Sequence, residues 1–218
     1  MADTHSPIAV IGLGRFGGSV AHGLTSRGVS LLAIDAEMTV VQRHSETLRD
    51  VVCADSTDEL SLRQLGLDAG WRAVVAIGGI QQSLLTITVL QDLGIEEIWA
   101  KAVSERHALL LRRMGAAHVV QPEADAGLRI SQLLVGGMLD YLPVERDYSV
   151  AKTPVPDDMA GRALSEPGLT EKHDVRVIAV LRADGTTTDA EPSTVPLLGD
   201  VLVLWGKAGD LERFAKVV

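Results

Sequence analysis

Three glycines, Gly12, Gly14 and Gly17, stand at the spacing G-x-G-x-x-G within VIGLGRFGGS, after the apolar run Ile8–Ile11 and before an amphipathic stretch. A turn of this kind works through its backbone. The first glycine permits a tight bend, the second lets the chain approach a pyrophosphate, and the third lets the next helix pack close to the strand. That helix then turns its unpaired N–H groups on the phosphates. Asp35 lies eighteen residues past Gly17, at the end of the next apolar run. A carboxylate there accepts hydrogen bonds from ribose hydroxyls and repels a 2′-phosphate, which favours NAD(H), ADP or ATP over NADP.

Other polar residues fall at the carboxyl ends of expected strands, where ligands of such sheets bind. Asp55, Ser56 and Thr57 follow the third strand, Ile77 and Gly78 close the fourth, Lys101 ends the fifth and Glu123 follows the sixth. Asp55 and Thr57 are equally good helix caps. Lys101 interrupts the apolar run IWAKAV, which is costly unless its ammonium meets an anion or water. Arg15 sits inside the phosphate turn, with Phe16 beside it, and its guanidinium matches a terminal phosphate.

No catalytic set accompanies this pocket. The six histidines are scattered without an HxH or HxxxH pair, and no G-x-S-x-G elbow occurs. Cys53 is the single cysteine, so no internal disulfide framework is expected, and it reads as a buried strand thiol in a reducing compartment, with a redox sensor as the alternative.

The elements that must position these residues alternate from Ser6 to Val120, the pattern of a doubly wound parallel sheet. Strands are expected at Ile8–Ile11, Ser30–Ile34, Val51–Cys53, Ala73–Ile77, Ile98–Lys101 and His118–Val120. Helices are expected at Phe16–Arg27, Glu37–Ser45, Asp58–Leu65, Gln81–Leu93 and Glu105–Met114, and Gly28, Gly66, Gly94 and Gly115 each follow one of these runs as a left-handed C-cap does. A longer apolar pattern, Leu128–Leu142, predicts a sixth helix with a face too wide for a lone surface helix, and therefore assembly. KTPVPDD then marks entry into a small α+β domain. Its expected elements are a strand at Tyr148–Lys152, a short helix at Ala160–Leu164, strands at Val175–Leu181 and Val201–Leu204, and a last helix at Gly209–Val217. The domains are thus 1–142 and 146–218.

With 218 residues and 46% hydrophobic content the chain can bury a full α/β core. A net charge of -9 argues against a nucleic-acid partner, which needs a basic face. MADTHSP has neither a basic nor an apolar region of a signal peptide, and no apolar run approaches the roughly 20 residues that span a bilayer. Any membrane role is expected to run through another chain.

The segments VIGLGRFGGSVAHGL, AIDAE, ADSTDE, AIGGIQQSLLT, IWAKA and LLRRMGAAHVVQPE together resemble the cytosolic regulatory subunits of bacterial Ktr and Trk potassium uptake systems, KTN/RCK proteins with TrkA-N and TrkA-C domains. The resemblance implies that Gly12, Gly14 and Gly17 hold the phosphates of a nucleotide and Asp35 its ribose, with Phe16 also among the nucleotide-binding residues. It places Asp55, Ser56 and Thr57 beside adenine and ribose, Ile77 and Gly78 at the flank, and Lys101 as added charge. Arg15 would reach the γ-phosphate of ATP, and Glu123, across a subunit boundary, would help place Mg or Ca there. ATP, ADP and in some members NAD(H) occupy this site. Eight N-terminal domains form a ring beneath an integral membrane subunit, so a single-copy chain would form a homo-octamer, peripheral to the inner face of the cell membrane. Relatives that bind cyclic di-AMP carry an arginine where Thr170 aligns here, with Arg176 inside the following strand, which argues against that ligand. The competing reading is a small NAD-dependent oxidoreductase, for which Asp157, Asp158 and His173 are the candidate proton donors.

Overall fold

A computed structural model describes residues 6–145, 147–167, 169 and 174–216. The first unit alternates β1 (Ile8–Ile11), α1 (Arg15–Thr25), β2 (Leu31–Asp35), α2 (Met38–Ser45), β3 (Val51–Cys53), α3 (Glu59–Gln64), β4 (Arg72–Val75), α4 (Ile80–Asp92), β5 (Ile98–Lys101), α5 (Glu105–Arg113) and β6 (His118–Val120). The six strands are parallel in the order β3-β2-β1-β4-β5-β6. β1 is flanked on one side by β2 and on the other by β4, so the crossovers diverge beyond its carboxyl end and leave a crevice there. Every residue of β1 is buried because both faces are covered.

Alternation along the strands divides the core between two faces. Ala9, Ile11, Ala73, Val75 and Ile98 pack with Leu62 of α3, Ile87 and Leu90 of α4 and Leu111 of α5. Ile8, Val10 and Ala33 pack with Ala21 of α1 and with Val40 of α2. Three helices therefore cover one face and two cover the other. On the two-helix side Ile8, Phe16, Val20, Leu24, Val74, Trp99 and Val120 line an apolar groove of about 320 Å³.

The strands lie where the hydrophobic pattern puts them, with β2 reaching Asp35 and β4 stopping at Val75, so that Ile77 belongs to the loop after β4. Gly28, Gly66, Gly94 and Gly115 all have positive φ, as their positions after helices require.

The second unit contains most of α6 (Pro122–Gly136), then β7 (Asp140–Glu145), β8 (Tyr148–Pro154), β9 (Val175–Leu181), β10 (Thr187–Asp189), β11 (Val201–Lys207) and α7 (Ala208–Ala215). Its antiparallel sheet has the order β10-β9-β11-β8-β7. Val177, Val180, Leu202 and Leu204 meet Leu211 and Phe214 of α7 in a separate core. Contacts divide the chain after Glu123, whereas the sequence pattern places that boundary between residues 142 and 146.

Two expectations are corrected here. The helix over Leu128–Leu142 begins earlier, with Pro122 at its first position, where a missing N–H costs nothing. It ends at Gly136; Gly137 has φ +63°, and a Cβ there would lie 2.8 Å from the Ala215 carbonyl oxygen. Tyr141 and Leu142 instead alternate along edge strand β7, Tyr141 buried and Leu142 exposed, and Pro143 is tolerated at that edge. The short helix at Ala160–Leu164 is a run of turns around Gly161, which has φ +78°. RADGT forms the β9–β10 hairpin, Asp184 accepting from both the amide and the hydroxyl of Thr186.

His107, 1% exposed, ties α5 to α4. The Val103 amide donates to its Nδ1 at 3.3 Å, which leaves the ring proton on Nε2, 2.9 Å from Ser83 Oγ. Burial lowers its pKa, so the folded protein holds it neutral while the unfolded chain takes up a proton below about pH 6.5. The stability it contributes is present above that pH and is lost as pH falls through it. We predict that the melting temperature declines between pH 7.5 and 5.5, and that His107→Gln flattens this decline. An unchanged pH slope in the variant would contradict the assignment.

Candidate functional site

The glycine turn joins β1 to α1 by a very close approach. Gly12 has φ +93°, and a Cβ at Gly17 would lie 1.8 Å from the Gly12 carbonyl oxygen and 2.9 Å from the Ala76 Cβ. Gly14 is different: a Cβ there meets nothing within 4 Å, so no part of this chain forbids a side chain at that position. Gly14 also caps α1 without a side-chain hydrogen bond, and no acidic residue occupies the helix's first turn. α4 begins likewise at Gly79. By contrast, Asp58 and Ser104 side chains cap α3 and α5. The two glycine-capped helices thus present free N–H groups beside the crevice, a natural seat for anions.

Between them lies a cavity of about 270 Å³ lined by Gly12, Gly14, Asp35, Asp55, Ser56, Thr57, Ile77 and Gly78, together with Ile11, Ala36, Ala54, Ala76 and Gln82. Eight of the residues expected to contact the nucleotide therefore converge. A second hollow of about 680 Å³ adjoins it, sharing Ala36, Ala54, Asp55, Thr57 and Gln82 and adding Cys53 and Leu85. Gln82 is absent from the sequence-based set. It stands in IQQS, where nothing distinguishes it from an exposed helical glutamine.

Asp35 has a double role in this geometry. Its Oδ2 accepts from the Leu13 amide at 2.7 Å and its Oδ1 from the Glu37 amide at 2.9 Å, so it braces the turn. Each carboxylate oxygen retains a lone pair for a ribose hydroxyl. Asp55 accepts from the Thr57 amide and hydroxyl. Ser56 is buried, its hydroxyl 2.8 Å from Thr86 Oγ1, so its part in the cavity wall is one of shape.

Arg15, Phe16, Lys101 and Glu123 gather in a separate cluster beside the first turn of α1. Lys101 Nζ donates to Glu123 Oε1 at 2.6 Å and stands 6.0 Å from the centre of the Phe16 ring. The hydrogen bond from Lys101 holds the Glu123 pKa below the usual carboxylate value, with the Arg15 charge adding to the effect. Lys101, its side chain 14% exposed, has found the anion its apolar strand demands. Gly17 lies beneath the turn as packing. Thr170 and His173 fall outside the described residues; Arg176 is exposed on β9, and Asp157 and Asp158 occupy the turn after β8.

The fold and this crevice define a Rossmann-type unit followed by a small C-terminal α+β domain. Residues 8–122 match the TrkA-N domain and residues 151–218 the TrkA-C domain, and the chain belongs to the TrkA-N/TrkA-C family of potassium uptake proteins. It is 35% identical to Ktr system potassium uptake protein C of Bacillus subtilis (strain 168), over 96% of each chain. Ktr system potassium uptake protein A of the same organism is 31% identical over 94% of each. Among solved structures, the GsuK RCK domain superposes with a TM-score of 0.68 at 21% identity, covering 100% of this chain and 48% of that one. The GsuK channel bound to NAD gives 0.69 at 20%, covering 100% and 40%. The chain spans about half or less of these GsuK chains, and at such identities the likeness establishes the fold. The oxidoreductase alternative is not favoured.

The different surroundings of Gly14 and Gly17 yield a paired prediction. Gly14→Val should melt within about 2 °C of the wild type, since a change of 1 kcal/mol moves Tm by only a few degrees, yet lose ADP binding by calorimetry. Gly17→Ala should be destabilised by roughly 1–3 kcal/mol or more through overpacking. Undiminished ADP affinity in Gly14→Val would contradict the site.

Proposed function

We propose that the chain is the nucleotide-binding regulatory subunit of a potassium uptake system, gating an integral membrane channel or transporter subunit from the inner face of the membrane without catalytic turnover. One conjunction carries this reading. A phosphate turn with a free helix N-terminus lies beside the Arg15, Lys101 and Glu123 cluster, in a chain related along 96% of its length to a Ktr system protein.

ADP and ATP share every group up to the β-phosphate, so only contacts at the γ-phosphate distinguish them. Arg15 and Lys101 supply charge of the right sign for it. A ligand shifts a two-state assembly only by its difference in affinity between the states, and a γ-phosphate contact provides such a difference. Adenosine at Asp35 and Asp55 is common to both nucleotides and to NAD(H), and the NAD-bound GsuK channel of the same fold supports NAD(H) as a third occupant.

Glu123 is exposed and ionised but is a single carboxylate, and no group of three or more His, Cys, Asp or Glu side chains among the described residues could hold a metal. That donor set suits Mg²⁺ or Ca²⁺ arriving on the nucleotide, with phosphate oxygens as the remaining ligands, rather than a resident ion. The cation would screen Glu123 from the γ-phosphate.

Assembly into a ring, eight copies of the 1–142 domain with the 146–218 domains as appendages, accords with apolar surface that a single chain leaves open. Leu128, Ile130 and Leu134 of α6 are 56%, 56% and 81% exposed, and the groove on the two-helix face of the first sheet is also uncovered. The C-terminal domain is not assigned cyclic di-AMP.

Arg15→Ala should lower ATP affinity about ten- to a hundred-fold more than ADP affinity, the loss of a charge-assisted bond. Magnesium should strengthen ATP binding, and Glu123→Gln should remove most of that dependence while sparing ADP. Equal losses for both nucleotides in both variants would sink the γ-phosphate assignment. Light scattering should show dimers at least, and octamers with nucleotide; a monomer at micromolar concentration would count against the ring.

A further inference from the structure

Leu13, in the middle of the glycine turn, is held at three points. Its side chain is buried in the core shared with β1 and α1, and its amide donates to Asp35. Its carbonyl oxygen lies 2.9 Å from Nε2 of His44, one residue from the end of α2. A carbonyl can only accept, so His44 carries a proton on Nε2 whatever its total charge. The chain contains no cis peptide among its described residues, so the Leu13 carbonyl and the Gly14 N–H point in opposite directions. Securing the carbonyl on His44 turns the Gly14 N–H the opposite way, away from that imidazole, and Gly14 itself lines the cavity.

We infer that His44 is a positioning residue for phosphate-bearing ligands: it fixes the Leu13–Gly14 peptide in the orientation that offers the Gly14 N–H to a phosphate. This rests on the nucleotide-binding reading above. Two further observations show that the contact is built into the fold. A Cβ at Gly18 would lie 2.8 Å from the His44 Cε1, so the residue just past the glycine fingerprint must be small for the imidazole to reach the turn. The end of α2 is also anchored. Thr47 Oγ1 donates to the His44 carbonyl at 3.2 Å and lies 2.8 Å from His22 Nε2, while His22 Nδ1 bonds the Gly18 carbonyl at 2.6 Å. His44 is thereby held over the turn from both α1 and its own helix end.

The test compares ADP with adenosine, which has the same base and ribose but no phosphate, by calorimetry on the full chain. His44→Leu keeps the bulk and removes the donor, and His44→Gln places an amide N–H at a similar reach. ADP affinity should fall about tenfold in His44→Leu, the worth of one hydrogen bond, with adenosine affinity unchanged and ADP affinity restored in His44→Gln. Gly18→Ala should weaken ADP similarly in the wild type and add nothing in the His44→Leu background, because the two changes break one contact. The inference is overturned if His44→Leu binds ADP normally, if it loses ADP and adenosine equally, or if His44→Gln is no better than His44→Leu. Wild-type protein that binds neither ligand overturns the nucleotide reading and this inference with it.

Discussion

The close approach of α1 to the end of β1 is the constraint from which the site follows. With the Gly12 carbonyl oxygen only 1.8 Å from where a Gly17 Cβ would stand, the helix can seat itself there only if position 17 lacks a side chain, while Gly12 answers to its own φ of +93°. Once seated, its first turn opens onto the crevice between the diverging crossovers, capped by nothing but Gly14. The tie from Asp35 to Leu13 then couples the end of β2 to the turn, so the residue that would hold the ribose also shapes the place that would hold the phosphates. A change at one of these groups is therefore felt at the other, and substitutions of Asp35 report on the turn as well as on ribose.

Charge divides the site into two ends. Asp35 and Asp55 line the cavity, where neutral hydroxyl donors suit them. Arg15 and Lys101 stand beside the first turn of α1 in a chain whose net charge is -9, the Lys101 charge paired with Glu123. Lys101 already satisfies Glu123. In the proposed ATP-bound form the γ-phosphate would compete with Glu123 for the same ammonium, which would give that form a different set of contacts from the ADP-bound one. Such a difference is what a ligand-driven assembly needs.

Much of this was legible in the residues because the first unit repeats one simple rule. Buried parallel strands are continuous apolar runs and the helices between them are amphipathic, so the six strands and five helices stand out, and the glycine fingerprint points to the crevice. The exceptions have physical causes. Tyr141 and Leu142 lie at helical spacing from Met138 but occupy an edge strand, because Gly136 and Gly137 end α6 and two apolar neighbours fit a strand with one face buried and one open. β10, Thr187–Asp189, is entirely exposed and carries no alternation to read. Within the site, a sequence pattern cannot show that the Ser56 hydroxyl turns into the core, that Gln82 faces the cavity, or that His44 reaches back across 31 residues to the turn. Each depends on side-chain direction, which the pattern of residue types leaves open.

In the proposed function a nucleotide seats on the free N–H groups at the carboxyl ends of β1 and β4. Hydrogen exchange measured by mass spectrometry, with and without saturating ADP, tests it most directly, because it reads those amides in the unmodified protein. Exchange should slow in peptides covering Gly12–Gly17, Asp35–Glu37, Asp55–Thr57 and Ala76–Gly79, with the β8–β11 sheet unaffected. Protection confined to the C-terminal unit, or none at the glycine turn while ADP is bound, would contradict it.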